Sequence, residues 1–200
     1  MITDFQRDEL KEVVNIGAGN ACTALSKMLG KKIGFASPNV FVDQAEKVWP
    51  LLGNAEDVVS VVLLKIVGDV SGVIVIVLPA KDAIVAARVL TDNHRKYFDF
   101  LDDFDRSALK ESGNILSGAS LSALSKFLDM NILQSVPEVA TDMLGAVMGS
   151  IMVDVNSKEE YILVFNIDLD IESVAKGKLF FMFDPKASEK ILEATQKKML

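Results

Sequence analysis

A glutamate and an asparagine three positions apart occur twice in this sequence, each pair with a small polar residue four positions before the glutamate. The two sets are offset by 99 residues. They are Asp8, Glu12 and Asn15, and Ser107, Glu111 and Asn114. An exposed glutamate can pair with a lysine or arginine of another protein, and an asparagine amide can hold a water by donating and accepting hydrogen bonds, although it is too weakly basic to deprotonate it. Such a pair suits a helix that enters another protein's active site and orients a nucleophilic water, as glutamine and asparagine do in phosphoryl transfer.

Both sets fall in amphipathic segments that are predicted to be helices. In the first helix the three motif residues share one stripe, and the apolar stripe on the opposite side is predicted to be buried. That apolar stripe consists of Leu10, Val13, Val14, Gly17, Ala21, Ala24, Leu25 and Met28. A structural repeat protein with polar helix faces would explain the fold. It would leave the same glutamate and asparagine at the same spacing unexplained, so the repetition is a functional signal.

The remainder of the chain repeats one plan. Thr3 and Gln6 form a capping-box pattern at the start of the first helix, which Gly30 ends, and Asp102 opens a second helix that reaches Leu128. Strands are predicted at 40–43, 58–67, 73–78, 144–155, 161–171 and 178–183, and further helices at 82–90 and from Pro185. The run 73–78 reads as a central strand buried on both faces.

This pattern predicts an α/β fold of α+β type built by internal duplication. Two helix–strands–helix repeats, at about 3–93 and 102–198, share one largely antiparallel or mixed sheet with helices packed on it and are related by a pseudo-two-fold axis. We expect one domain over residues 1–200. Since one chain holds both halves of the symmetric unit, we also expect a monomer.

Composition excludes several classes of function. The chain has 200 residues, half of them hydrophobic, and a formal charge of −7, with a pI near 4.8. No basic run is present, which argues against nucleic acid and against anionic membrane surfaces as partners. The longest uncharged apolar run, 70–80, is shorter than the ~20 residues of a membrane-spanning helix, and the N-terminus lacks the pattern of a signal peptide. The sequence therefore predicts a cytoplasmic protein without membrane insertion.

Other residues with possible chemistry have simpler interpretations. Cys22 is the only cysteine and His94 the only histidine, so disulfides and thiolate metal sites are excluded. A Ser-His-Asp triad with His94 is conceivable, but a surface histidine is favoured.

The aspartates at 102, 103 and 105 lack the glycine and terminal glutamate of a calcium loop and fit a helix N-terminus. The glycines at 17 and 19 lie in mid-helix, unlike those of a phosphate loop. No metal site is predicted.

The motifs and the residues that follow them resemble the CheC/CheX/FliY family of chemotaxis phosphatases, most closely its CheC branch. The segments that carry the resemblance are Glu-Val-Val-Asn-Ile-Gly-Ala-Gly-Asn-Ala at 12–21 and Glu-Ser-Gly-Asn-Ile-Leu-Ser-Gly at 111–118. The resemblance implies a protein aspartyl-phosphate phosphatase, a hydrolase that dephosphorylates CheY, a response-regulator receiver domain of two-component signalling.

The resemblance also implies roles for the motif residues. Glu12 and Glu111 would each contact the active-site lysine of the receiver, and Asn15 and Asn114 would orient the attacking water. Asp8 and Ser107 match the first motif position and are expected at the partner-binding surface. No cofactor of its own is implied, because the receiver would supply both the aspartyl phosphate and Mg²⁺.

One alternative belongs to a different class of function. The chain could be a non-catalytic adaptor that binds CheD or a flagellar or archaellar switch component. CheC relatives bind the receptor deamidase CheD, which makes CheD a possible partner under either hypothesis. Catalytic turnover distinguishes the two hypotheses. An enzyme accelerates the loss of CheY phosphate when it is present in much smaller amounts than CheY, whereas an adaptor would need stoichiometric amounts or have no effect.

Overall fold

The computed structural model describes residues 2–91, 100–155 and 161–198. Within these residues the chain forms six α-helices and eight β-strands. In chain order they are α1 (Asp4–Leu29), β1 (Ile33–Phe35), β2 (Asn39–Gln44), α2 (Ala45–Leu52), β3 (Val58–Gly68), β4 (Gly72–Pro79), α3 (Ala80–Thr91), α4 (Asp103–Leu128), β5 (Ile132–Gln134), β6 (Glu138–Met143), α5 (Leu144–Val155), β7 (Tyr161–Ile171), β8 (Ala175–Phe183) and α6 (Pro185–Lys197). His94, which was predicted to lie on the surface, is outside the described residues. None of the described helices combines the length and apolarity needed to cross a bilayer.

The two long helices begin with the same capping device. In α1 the Gln6 amide nitrogen donates to Thr3 Oγ1 at 3.2 Å and the Thr3 amide nitrogen donates to Gln6 Oε1 at 2.9 Å, so the predicted capping box is confirmed. In α4 the same reciprocal bonds join Asp102 and Asp105, at 2.8 and 3.2 Å. Capping therefore accounts for the acidic cluster at the start of α4, as predicted.

The sheet exchanges strands between the repeats. Its order is β1-β7-β8-β4-β3-β5, with β2 also pairing with β7 and β6 with β3, and every pairing is antiparallel. The β1 and β2 strands of the first repeat thus complete the β7–β8 hairpin of the second repeat, and β5 and β6 complete the β3–β4 hairpin of the first.

The register at the centre of the sheet confirms the predicted pseudo-two-fold. Across β4 and β8, Val73 pairs with Met182 and Val77 pairs with Lys178. An offset of 105 residues relates the two strands, so Lys178 is the equivalent of Val73 and Met182 is the equivalent of Val77. Val73 therefore pairs with the equivalent of Val77, and Val77 pairs with the equivalent of Val73. Val75 pairs with its own equivalent, Phe180, and the axis passes between these two residues.

The sheet is the middle of three layers. On β4, the side chains of Val73, Val75 and Val77 face α2 and α5, whereas Ile74, Ile76 and Leu78 face α1, α3, α4 and α6. All six are at most 4% exposed, which confirms the prediction of a central strand buried on both faces. The four-helix face carries the larger of the two cores, and it includes both motif helices.

One sequence prediction about elements is wrong: the segment 144–155, predicted as a strand, is helix α5. Helix α2 at 45–52 was not predicted as any element. These helices occupy equivalent places and cover the same sheet face. The buried side chains of α5 at Leu144 and Ile151 are seven residues apart, which is a helical spacing. The apolar content of 144–155 thus reflects a helix lying against a sheet rather than a strand within it.

The predicted apolar stripe of α1 also needs a correction near its end. Ala24 is exposed and Met28 is 60% exposed, while Leu10, Ala21 and Leu25 are almost completely buried. A residue on the apolar side of a helix is buried only where a neighbouring element covers that turn. No described element covers the end of α1 on the side of Ala24 and Met28.

Candidate functional site

The six motif residues lie on α1 and α4, three on each helix. Asp8 and Glu12 are exposed, and Asn15 is half-buried. Ser107 and Glu111 are likewise exposed and Asn114 is half-buried. The two repeats therefore present the same sequence of exposure along their helices, with each glutamate in solvent and each asparagine partly held by its surroundings.

Close packing of α1 against α4 brings the two motif helices together. The contact is tightest at Gly17, where a β-carbon would lie 2.7 Å from Ser120 Cα, 3.1 Å from the Ala119 carbonyl oxygen and 3.1 Å from Ala123 Cβ. Only a residue without a side chain allows this approach of the backbones. Gly17 therefore serves helix packing and fixes α1 relative to α4.

The carboxylates of the motifs are available to a partner. Among the residues that the structure describes, none forms an ion pair or hydrogen bond with the side chains of Asp8, Glu12 or Glu111. Ser107 Oγ donates to the Asp103 carbonyl oxygen at 2.7 Å, so this hydroxyl is turned back to its own helix and can only accept further hydrogen bonds. Both glutamates could therefore pair with a cation on another protein without breaking a bond to a described residue.

The two asparagines differ in what surrounds them. Gln134, the last residue of β5, donates from Nε2 to Asn114 Oδ1 at 2.6 Å and to the Asn114 carbonyl oxygen at 3.0 Å. The equivalent residue of the first repeat is Phe35, the last residue of β1, and a phenyl ring offers no such donor. Gln134 was not predicted as a site residue, because glutamine and phenylalanine at the offset of 99 show no shared type and Gln134 lies far along the chain from its motif.

Cys22 contributes no reactive thiolate. It is 4% exposed, and burial raises the pKa of its thiol to about 11, because an apolar environment disfavours the charged form. The thiol is therefore protonated near neutral pH. Among the described residues, no group of three or more histidine, cysteine, aspartate and glutamate side chains is placed to hold a metal ion.

None of the six motif residues lines the cleft of about 730 Å³ that opens beside the end of β4 and the start of β8. The lining of this cleft includes Asp168, Lys176 and Lys178. The motifs lie instead on the outer faces of two helices. An arrangement of this kind does not enclose a small substrate, and it suits chemistry in which another macromolecule brings the reacting group.

Comparisons with known proteins agree with this geometry. The sequence model described as the CheC-like family matches residues 5–42 and 104–140, the two segments that contain the motifs. The CheY-P phosphatase CheC of Bacillus subtilis strain 168 is 31% identical over 198 residues, which cover 96% of this chain and 95% of that protein. The X-ray structure of Thermotoga maritima FliY superposes with a TM-score of 0.79 at 25% identity, covering 99% of both chains.

A more distant structural match concerns the fold alone. A chain in the crystal structure of the CheX–CheY–BeF₃–Mg²⁺ complex from Borrelia burgdorferi gives a TM-score of 0.57 at 18% identity, covering 86% of this chain and 96% of that one. The family itself is shown by the sequence, because the match to the CheC-like family falls in two places separated by the same distance as the motifs.

Proposed function

Since the chain belongs to the CheC-like family, we propose that it is a protein aspartyl-phosphate phosphatase that acts on phosphorylated CheY. The relative from B. subtilis that matches nearly the whole chain is a CheY-P phosphatase. The observation that carries the proposal is the duplicated pair of an exposed glutamate and a half-buried asparagine on α1 and α4.

The reaction takes place at the partner's aspartyl phosphate. A water oxygen attacks phosphorus, the bond from phosphorus to the aspartyl oxygen breaks, and the carboxylate leaves with the bonding electrons. The protons of the water pass to phosphate oxygens and to solvent, so the products are inorganic phosphate and unmodified CheY. Little covalent chemistry is required of a catalyst in such a transfer, because positioning and electrostatics supply most of the rate.

The glutamates provide the docking contact. Glu12 or Glu111 pairs with the lysine of the CheY active site and aligns α1 or α4 over the phosphoryl group. A carboxylate that is free in solvent can form such a charge-assisted bond without first breaking one to a described residue. Asp8 and Ser107 lie one turn before the glutamates and contact the rim of the same partner.

The asparagines provide the water-positioning amide. Asn15 or Asn114 lies one turn after its glutamate, so docking through the glutamate brings the amide toward the phosphorus atom. The amide holds the attacking water by hydrogen bonds and does not act as its base. CheY supplies the phosphoryl group and its bound Mg²⁺, and the phosphatase supplies no cofactor.

Phosphate release from CheY under turnover conditions tests the proposal. CheY phosphorylated with a small phosphodonor is separated from the excess donor, and its dephosphorylation is followed with the protein present at a small fraction of the CheY concentration. We expect the rate of loss to rise in proportion to added protein while each molecule turns over many times. An adaptor that acts through CheD or a switch component would leave the decay unchanged or alter it only at stoichiometric amounts, and either result would refute the proposal.

A further inference from the structure

Each repeat places one side chain from its short strand against the helix turn that follows the catalytic asparagine. In the first repeat the ring of Phe35 lies over Gly19, with its Cζ 3.7 Å from where a β-carbon would be. In the second repeat the amide of Gln134 lies over Gly118 in the same way, with Nε2 at 3.4 Å. The geometry is shared by the two repeats, but the chemistry of the side chain is not.

Gln134 fixes the orientation of the Asn114 amide. Its Nε2 donates to the Asn114 carbonyl oxygen at 3.0 Å, and a carbonyl oxygen can only accept, which identifies the nitrogen of Gln134 as the atom facing Asn114. The side-chain atom of Asn114 that lies 2.6 Å from the same nitrogen is therefore its oxygen, Oδ1. The Asn114 amide nitrogen, with two hydrogens, is consequently turned away from Gln134.

The first repeat lacks this restraint. Phe35 is half-buried and apolar, and none of the described residues forms a hydrogen bond with the Asn15 side chain. The terminal torsion of asparagine is broad, and no hydrogen bond to a described residue selects one orientation of the Asn15 amide. Two water-positioning groups that look identical in the sequence motif thus differ in preorganisation.

Stability alone does not account for Gln134. Its Oε1 is buried without a hydrogen-bond partner among the described residues, and a buried unpaired acceptor lowers stability. An apolar side chain such as the phenylalanine of the first repeat fills the equivalent place without that penalty. The glutamine nevertheless directs both of its hydrogen bonds to Asn114.

We propose that Gln134 is a positioning residue that orients Asn114 for catalysis, so that the second motif turns over faster than the first. This inference rests on the proposed phosphatase function. The bond from Gln134 leaves one lone pair of Oδ1 and both amide hydrogens of Asn114 available for the water and the phosphoryl oxygens. Orientation in advance of docking lowers the barrier of the chemical step without strengthening the docked state.

The main test uses the full-length chain with only its second motif active, obtained with Glu12→Ala and Asn15→Ala. In this background Gln134→Met keeps the length of the side chain and removes the donor. We expect kcat to fall about tenfold while KM stays within about twofold, since the loss concerns the transition state. A kcat that stays within twofold of the background, or a loss confined to KM, would overturn the inference.

Two further variants separate positioning from packing. Gln134→Glu keeps the shape but can only accept hydrogen bonds when ionised, so we expect kcat to fall as it does for Gln134→Met. With the second motif disabled by Glu111→Ala and Asn114→Ala, Phe35→Gln supplies the missing donor to the first motif and should raise kcat severalfold. A folded Phe35→Gln chain with unchanged kcat would count against the inference. Gln44→Met on β2 is the matched control and should leave kcat unchanged.

The design keeps two failures apart. If the chain with both native motifs does not accelerate phosphate loss from CheY, the proposed function fails. If that chain and the background with only the second motif both turn over, and Gln134→Met turns over equally fast, the phosphatase function stands and the role of Gln134 is refuted. The order parameters of the two asparagine side-chain amides give a readout that is independent of activity. We expect Asn114 to be more ordered than Asn15, and equal order would contradict the proposal.

Discussion

Glu12 and Glu111 differ from Asn15 and Asn114 in how much of the side chain is solvated before any partner arrives. The glutamates are exposed and the asparagines are half-buried. A solvated carboxylate has to lose water and side-chain freedom when it docks, so its contribution appears in binding. A partly enclosed amide has less freedom and less hydration to lose on docking than an exposed carboxylate, so its contribution appears in the chemical step. The two residue types should therefore be separable by kinetics.

Replacing both asparagines should affect turnover more than binding. For the Asn15→Ala and Asn114→Ala double variant we expect kcat to fall by about 10²-fold, as for the loss of a positioned hydrogen-bonding group, with the Kd for CheY changed little. Stability should fall by no more than about 1 kcal/mol, because Gln134 retains its bond to the carbonyl oxygen of residue 114. Phosphate release measures kcat, and binding of CheY activated with beryllium trifluoride measures Kd.

The corresponding glutamate variant should behave differently. Glu12→Gln with Glu111→Gln keeps the shape and removes both charges, so both affinity and rate should fall, by up to about 2–5 kcal/mol if the contact is buried on docking. Glu46→Gln on α2, across the sheet from the motifs, serves as a control for loss of one charge. Equal losses of affinity in the asparagine and glutamate variants would show that the two residue types do not have separate roles.

At the scale of elements, the contact between α1 and α4 depends on Gly17. A β-carbon there would lie 2.7 Å from Ser120 Cα, and because the neighbour is backbone the helices would have to separate. We expect Gly17→Ala to lower the free energy of unfolding by about 1–3 kcal/mol, although alanine has the higher intrinsic helix propensity. Urea unfolding with an unchanged m-value measures the effect.

Gly149 in α5 provides the matched control for this change. Among the residues that the structure describes, no heavy atom outside its own helix turn lies within 4 Å of the position that a β-carbon would take there, so Gly149→Ala should be neutral or stabilise by about 0.5–1 kcal/mol. If Gly17→Ala were as stable as the parent chain, the close approach of the two motif helices at this residue would be wrong.

The helices and strands that could be predicted from the sequence are those in which the spacing of apolar residues fits only one type of element. The two long helices, the capping box of the first and the buried strand at 73–78 follow from helical period, cap residues and an unbroken β-branched run. The segment 144–155 did not, because a short, mostly apolar run fits a buried strand and a buried helix equally well. The repeat did not correct this prediction, because the equivalent segment 45–52, which is also a helix, was not predicted as any element.

The site was only partly recoverable for a related reason. Repetition of residue type identified Glu12, Asn15 and their equivalents, and the structure places them on corresponding helix faces. Gln134 and Phe35 occupy equivalent positions with different chemistry, so a search for repeated types passes over them. The exchange of strands between the repeats was equally inaccessible, because the alternation of side chains specifies which face is buried but not which strand is the neighbour.

At the scale of the whole molecule, the symmetric contacts are satisfied within one chain. The axis between Val75 and Phe180 lies in the middle of a continuous sheet, and β4 and β8 have no free edge. We therefore expect a monomer, with a mass near 21.8 kDa by light scattering at micromolar concentration. A stable dimer of the intact chain would contradict this expectation.

A chain truncated after residue 91 offers a direct comparison. It retains β1 to β4 but lacks β7, which pairs with β1 and β2, and it lacks β5 and β6, which pair with β3. We expect such a half to be unfolded or to associate into a dimer that recreates the exchanged pairings, and not to be a folded monomer. Cooperative unfolding of a monomeric half would show that the exchanged strands are not needed.

The exchanged strands also determine when the protein can fold during its synthesis. The residues of β2 pair with Tyr161–Asn166, so the strand leaves the ribosome long before its neighbour has been made. At about 5–20 residues per second, that interval is on the order of ten seconds. During this time Val40, Phe41 and Val42 have no native partner, and the first motif helix has no completed sheet edge beside it. A nascent chain that stalls or terminates in this interval carries an unpaired apolar strand, and it depends on chaperones in a way that the finished protein does not.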